Sequence, residues 1–98
     1  MAVIRTTRFE VAVADAEEMI ARRNALVAAV RAACPGLTEA RLARAGEEAW
    51  IDAWRWESAE HLDAALKAAA SGSLPAAGAT FALARNITAE SAEIIDER

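Results

Sequence analysis

The sequence predicts an α+β protein, a ferredoxin-like domain in which one four-stranded antiparallel sheet carries both helices on one face. Three observations lead to this fold class. Segments with strand-like alternation and segments with helical spacing follow one another in the order β-α-β-β-α-β. A turn only a few residues long joins the second and third strands, which predicts an antiparallel hairpin. The 98 residues suit a single domain spanning residues 1–98.

The first part of the chain predicts a strand and then a helix. Residues 2–13 alternate well enough to form a strand with apolar side chains on both faces. Asp15 followed by Glu18 resembles a capping box, and apolar residues recur after it at helical spacing. The arginines of this helix, Arg23 among them, are expected to point away from the core. The pair Pro35-Gly36 ends the helix.

The middle of the chain predicts the hairpin. Residues 38–45 form one strand, and a turn at residues 46–48 leads directly into the next strand. By its alternation, this next strand places on one face all three tryptophans of the protein and one carboxylate, namely Trp50, Asp52, Trp54 and Trp56. Such an aromatic wall could line a ligand cavity, since cavities are mostly apolar with a few polar groups, or it could be ordinary core.

The last part of the chain predicts a second helix, a short helix and a final strand. Ser58 is a helix-capping residue, and the helix that it begins continues to about Ala70. Residues 71–75 form a loop, and residues 76–84 favour a short helix. Residues 91–97, which contain two isoleucines, are expected to form the last strand.

One face of the predicted sheet has no helix to cover it. Because the first and third strands carry apolar residues on both faces, this bare face would expose apolar area at about 25 cal/mol per Å². A second copy of the chain is the expected cover, and the sequence therefore predicts a homodimer.

Composition and charge exclude several classes of protein. A net charge of −4 without a basic run argues against nucleic-acid binding. No apolar stretch approaches the roughly 20 residues that cross a bilayer. One cysteine, Cys34, and one histidine, His61, are too few for a metal site. We therefore expect a soluble, cytoplasmic protein without a metal.

Residues 54–60 cross from the third strand to the second helix and contain a Trp-x-Ser motif formed by Trp56 and Ser58. Together with the element order and the closing residues 92–96, this motif resembles the antibiotic biosynthesis monooxygenase domains of the dimeric α/β-barrel superfamily. The resemblance covers nearly the whole chain. It implies two sheets packed face to face as a barrel, with a cavity between the sheet and the helices of each subunit.

The resemblance also implies an activity, the oxidation of an aromatic molecule of polyketide or quinol type by oxygen without metal or flavin. A substrate deprotonated to a delocalised anion can pass an electron to oxygen, so the protein needs a dry aromatic pocket and groups that stabilise the anion. Trp56 matches the family's cavity tryptophan. Asp52 falls where the monooxygenases carry a side-chain amide, and Leu62 where they carry a tyrosine.

The candidate site residues follow from the strand that carries the three tryptophans, here called the tryptophan strand, and from this resemblance. The candidates for catalysis are Asp52 and Trp56, and the candidates for substrate binding are Trp50, Trp54, Arg8 and Leu62. Asp52 could be a proton acceptor with a pKa raised by its tryptophan neighbours, or a hydrogen-bonded structural carboxylate. Arg8 could bind an anionic or phenolic substrate, or pair with Glu10 across the sheet.

Three other functions within the same superfamily are alternatives to the monooxygenase. One is a catalytically silent barrel that binds a ligand or serves as a structural partner. Another is an isomerase or cyclase in which Asp52 shuttles a proton and oxygen is not consumed. A third, haem degradation, uses a histidine after the second helix, whereas His61 lies in the first turn of that helix.

Overall fold

The structure is a computed structural model that describes all 98 residues. The strands are β1 (Val3–Glu10), β2 (Leu37–Arg44), β3 (Ala49–Trp56) and β4 (Arg85–Glu93), and the helices are α1 (Ala16–Ala33), α2 (Ala59–Ala70) and α3 (Pro75–Phe81). The sheet has the order β2-β3-β1-β4, and all neighbouring strands are antiparallel. The ferredoxin-like fold predicted from the sequence is confirmed.

The two long helices begin in different ways. Ser58 caps α2 as predicted, since its Oγ accepts a hydrogen bond from the backbone N–H of His61 at 3.2 Å. Asp15 occupies the corresponding position of α1, but its side chain makes no capping hydrogen bond. The turn after α1 needs Gly36, whose φ is +101° and where a Cβ would lie 2.5 Å from Cγ of His61.

The ends of the sheet differ from the prediction. The first strand stops at Glu10, where the pairing of β1 with β3 ends opposite Ala49, and one further hydrogen bond joins the N–H of Val11 to the carbonyl of Glu48. The last strand is Arg85–Glu93 and not 91–97, because its pairing with β1 ends where Glu93 lies opposite Val3. Every residue of β4 is exposed, so this strand lacks the apolar alternation by which a strand is recognised in sequence.

The core lies between the sheet and the helices and consists of two clusters. The larger cluster has eight buried residues, which are Val3, Leu26, Val30, Cys34, Trp56, Leu62, Ala65 and Leu74. The smaller has four, which are Phe9, Val11, Met19 and Trp50. Trp50 and Trp56 at the two ends of β3 thus belong to different clusters, and Asp52 and Trp54 lie along the strand between them.

The other sheet face carries no helix, and none of its residues is fully buried. Ile4 and Ile51 lie on this face beside arginines. The Arg55 guanidinium donates to both carboxylate oxygens of Glu97, at 2.6 and 2.7 Å. This contact lowers the pKa of Glu97 below its ordinary value of 4.5 and raises the pKa of Arg55.

None of the helices has the length and the apolar character needed to cross a membrane.

Candidate functional site

A cavity of about 120 Å³ lies between the sheet and the helices, in the place that the family resemblance implied. Twelve of its sixteen lining residues are hydrophobic, which makes it an apolar pocket with few polar groups. The hydrophobic ones are Phe9, Leu26, Val30, Trp54, Trp56, Leu62, Ala65, Leu66, Ala69, Leu74, Ala77 and Phe81. The polar ones are Arg5, Thr7, Asp52 and Thr80.

Strand register brings three of the polar groups together. Arg5 lies directly opposite Trp54 in the β1–β3 pair, and Thr7 lies directly opposite Asp52. Directly opposite residues of an antiparallel pair share a face, so all four side chains project towards the helices. The fourth polar group belongs to Thr80 on α3. Its hydroxyl is within hydrogen-bonding distance of the Ala76 and Arg22 carbonyls, at 3.0 and 3.2 Å.

Two of the three tryptophans form one wall of the cavity. The rings of Trp54 and Trp56 are stacked, with centroids 6.5 Å apart and an angle of 29° between the planes. Trp50 does not line the cavity. It packs in the smaller core cluster, and the Arg44 guanidinium lies 5.0 Å from its ring centroid. The tryptophan strand is therefore partly cavity wall and partly core.

The indole N–H of Trp56 has no hydrogen-bond partner, although Trp56 is only 2% exposed. A buried donor left without a partner costs about 1–3 kcal/mol. The indole N–H of Trp50 is also unpartnered, but only Trp56 belongs to the cavity wall. Trp56 thus carries an unused buried donor in a residue that lines the cavity.

Asp52 forms a buried ion pair with Arg23 of α1. Arg23 donates from Nη2 to Oδ1 at 2.8 Å and from Nε to Oδ2 at 3.1 Å, and both side chains are about 10% exposed. Both carboxylate oxygens are thereby occupied in a bidentate contact. Of the two roles predicted for Asp52, this geometry favours the structural carboxylate over the proton acceptor.

The prediction that Arg23 points away from the core was wrong. Arg23 lies four residues after Met19 and three before Leu26, and all three are buried on one face of α1. The carboxylate of Asp52 supplies the counter-charge that allows a guanidinium on this face. The spacing of Arg23, together with a lone carboxylate among tryptophans, is the sequence signal that could have identified the pair.

The remaining two candidates lie on different faces of the sheet. Leu62 lines the cavity and is 5% exposed. Arg8, expected at the substrate site, lies on the opposite face and donates to Glu90 at 3.1 Å. Strand alternation explains this correction, because it puts Arg5 and Thr7 on the cavity face and Arg8 on the other. Arg5 is the cavity arginine that the sequence analysis missed.

The residues of the cavity do not fit haem bound through its iron. No histidine, cysteine, methionine or tyrosine lines the cavity, so no side chain there is of the kind that ligates haem iron. His61 is half-buried in the first turn of α2, with its Nδ1 2.7 Å from the Ser58 hydroxyl, and does not line the cavity. No group of three or more histidine, cysteine, aspartate or glutamate side chains comes together as a metal site.

No family model and no curated protein matches the chain. Solved structures do match it. SnoaB, a cofactor-independent oxygenase from Streptomyces nogalater, is 26% identical, with 98% of this chain and 95% of SnoaB covered and a TM-score of 0.73. A variant of MhuD with two manganese protoporphyrin IX molecules bound per active site is 25% identical, with 98% and 97% covered and a TM-score of 0.72.

A proposed antibiotic biosynthesis monooxygenase from Caulobacter crescentus CB15 shares the fold with a higher TM-score of 0.76. It is 22% identical to this chain, and the match covers 97% of this chain and 91% of that protein. In all three cases nearly the whole length of both chains is covered.

Proposed function

We propose that this chain, which belongs to the antibiotic biosynthesis monooxygenase domain family, is a cofactor-independent monooxygenase of a small aromatic molecule of polyketide or quinol type. The observation that carries the proposal is the apolar cavity walled by the stacked rings of Trp54 and Trp56. The similarity to SnoaB, an oxygenase that needs no cofactor, supports the same activity.

The cavity supplies the conditions that such an oxidation needs. A flat aromatic substrate would lie against the indole wall, and the apolar lining would exclude water from the reactive anion. The free N–H of Trp56 could donate to a substrate oxygen on which negative charge develops. A substrate methylene would then become a carbonyl, with one oxygen atom of O₂ entering the product and the other leaving as water.

Asp52 acts in this proposal by holding Arg23, and not by taking the substrate proton. Its two oxygens are each occupied by one Arg23 N–H, and taking a proton would remove the negative charge that balances this buried guanidinium. The same occupancy disfavours an isomerase or cyclase in which Asp52 shuttles protons. The cavity beside Trp54 and Trp56 disfavours a barrel that serves only as a structural partner, because such a barrel needs no space between its indoles and its helices.

Asp52→Asn is therefore expected to keep oxygenase turnover within a few-fold of the unaltered protein, or to raise it. The amide removes one negative charge from the cavity wall, where that charge would repel a substrate anion, and its oxygen can still accept a hydrogen bond from Arg23. Oxygen uptake with a panel of anthrones and quinols, without added metal or flavin, provides the measurement. Loss of turnover in a variant that remains folded would show that Asp52 is the proton acceptor.

The panel also tests the proposed activity itself. Steady oxygen consumption above the rate of spontaneous oxidation, with at least one anthrone or quinol, is the expected result for the unaltered protein. Conversion of a panel compound without oxygen uptake would favour the isomerase or cyclase.

A homodimer in the cytoplasm is part of the same proposal. The uncovered sheet face carries Ile4, Ile51 and Ala53 among its charged residues, and a second copy would remove this apolar area from water. The single cysteine, Cys34, is free and buried, as suits a reducing compartment.

Light scattering at micromolar concentration is expected to give close to twice the 10.4 kDa chain mass. Ile51→Glu, which places a charge on the uncovered face, should shift the protein towards the monomer. Lys67→Glu, which changes the charge at an exposed position of α2 away from this face, is the control and should leave the mass unchanged. A stable monomer of the unaltered protein would contradict the dimer.

A further inference from the structure

We infer that the ligand of the cavity is an aromatic carboxylate, held by its ring against Trp54 and by its carboxylate at Arg5. The inference rests on the proposed function, because it takes the cavity as the substrate site, and it adds the chemical class of the substrate. It depends on the charge of the cavity and on the position of Arg5.

One cation, Arg5, and one anion, Asp52, line the cavity. The charge of Asp52 is balanced by Arg23, which does not line the cavity and which donates two hydrogen bonds to this carboxylate. Arg5, in contrast, has no carboxylate partner among the salt bridges of the protein, and its side chain bonds only the Ser91 hydroxyl at 3.2 Å. The cavity therefore carries one positive charge that no protein side chain balances.

The donors of Arg5 are largely unused. A guanidinium has five N–H donors, and Arg5 uses one of them, on Nη1, for Ser91. A carboxylate needs two parallel N–H groups for a bidentate contact, which is the geometry that distinguishes arginine from lysine. Arg5 is half-buried beside an apolar lining, where such a contact is screened less than on an open surface.

The position of Arg5 adds the aromatic part of the inference. Arg5 lies directly opposite Trp54, and side chains in such a pair start from Cβ atoms about 5 Å apart. A flat ring against Trp54 would thus present a substituent on its edge to Arg5. An unpaired cation beside an indole wall fits an aromatic ring with an anionic group better than a neutral hydrocarbon or a basic ligand.

Binding of 2-naphthoate and of 2-naphthamide, measured by titration calorimetry, tests this inference. The two probes share the ring and differ in charge. The unaltered protein is expected to bind the carboxylate about tenfold more tightly than the amide, which corresponds to about 1.4 kcal/mol. Arg5→Gln should remove this preference while leaving the affinity for the amide unchanged. Arg5→Lys should restore part of it, because the charge returns without the bidentate donors.

Arg8→Gln is the matched control, since it removes an arginine from the same strand on the opposite face. It should leave both affinities unchanged. Equal affinity of the unaltered protein for the two probes, binding of neither, or an equal loss for both in Arg5→Gln would overturn the inference. Because these measurements need no turnover, a carboxylate preference without oxygen uptake would contradict the proposed function and still support the role of Arg5.

Discussion

Arg23→Met is expected to lower the free energy of unfolding by about 3–5 kcal/mol, the range for removing one partner of a buried ion pair. The substitution keeps the length and apolar stem of the side chain but leaves the Asp52 carboxylate without its two donors. Asp52 is 7% exposed, so water can replace those donors only in part. Equilibrium unfolding in urea at pH 7 measures the change.

The double variant Arg23→Met with Asp52→Leu should recover most of the lost stability, since apolar residues can replace a buried pair at little cost. Arg31→Met, on the same helix, is the control. Arg31 is exposed, so this change should stay within about 0.5 kcal/mol of the unaltered protein. If Arg23→Met were as mild as Arg31→Met, the ion pair would not hold α1 against the sheet.

The second large effect is expected from truncating the tryptophans of β3 one at a time. Trp50→Ala should lower stability by about 3–5 kcal/mol, as for other buried aromatic residues, because Trp50 is core. It should leave the affinity for anthrone nearly unchanged, because Trp50 does not line the cavity. Trp54→Ala should weaken anthrone binding by about 1–3 kcal/mol, the range for loss of an aromatic stacking surface. Its effect on stability should be smaller, since Trp54 is only half-buried.

Trp56→Ala should lower both the stability and the affinity for anthrone, because Trp56 belongs to the buried core and also lines the cavity. Titration calorimetry gives the affinities, and urea unfolding gives the stabilities. Equal losses of affinity in the Trp50 and Trp54 variants, with both still folded, would mean that the indole wall does not contact the ligand.

The sequence predicted the features that depend on strong local patterns. The hairpin, the cap at Ser58 and the common face of Asp52 and the tryptophans each follow from alternation or from a capping residue, and all are present in the structure. These patterns are local because a strand alternates regardless of what it packs against. They were enough for the fold and for one wall of the cavity.

The features that the sequence analysis missed depend on contacts between distant segments. β4 is recognised only by its pairing with β1, because all of its side chains are exposed. Arg23 is buried only because Asp52, 29 residues later in the chain, lies opposite it. Arg8 was predicted at the substrate site in place of Arg5 because the wrong face of the sheet was expected to form that site. Both arginines lie on β1, and only the cover of α2 and α3 determines which face becomes the cavity.

Oxidation of anthrone under ¹⁸O₂, followed by mass spectrometry of the product, tests the central claim most directly. The protein would be assayed without added metal or flavin and after treatment with a chelator. We expect anthraquinone that carries one ¹⁸O atom, 2 Da heavier than the product made under ordinary oxygen, formed faster than in the absence of protein. Anthraquinone without the label, or formation at the spontaneous rate across the anthrone and quinol panel, would contradict a cofactor-independent monooxygenase.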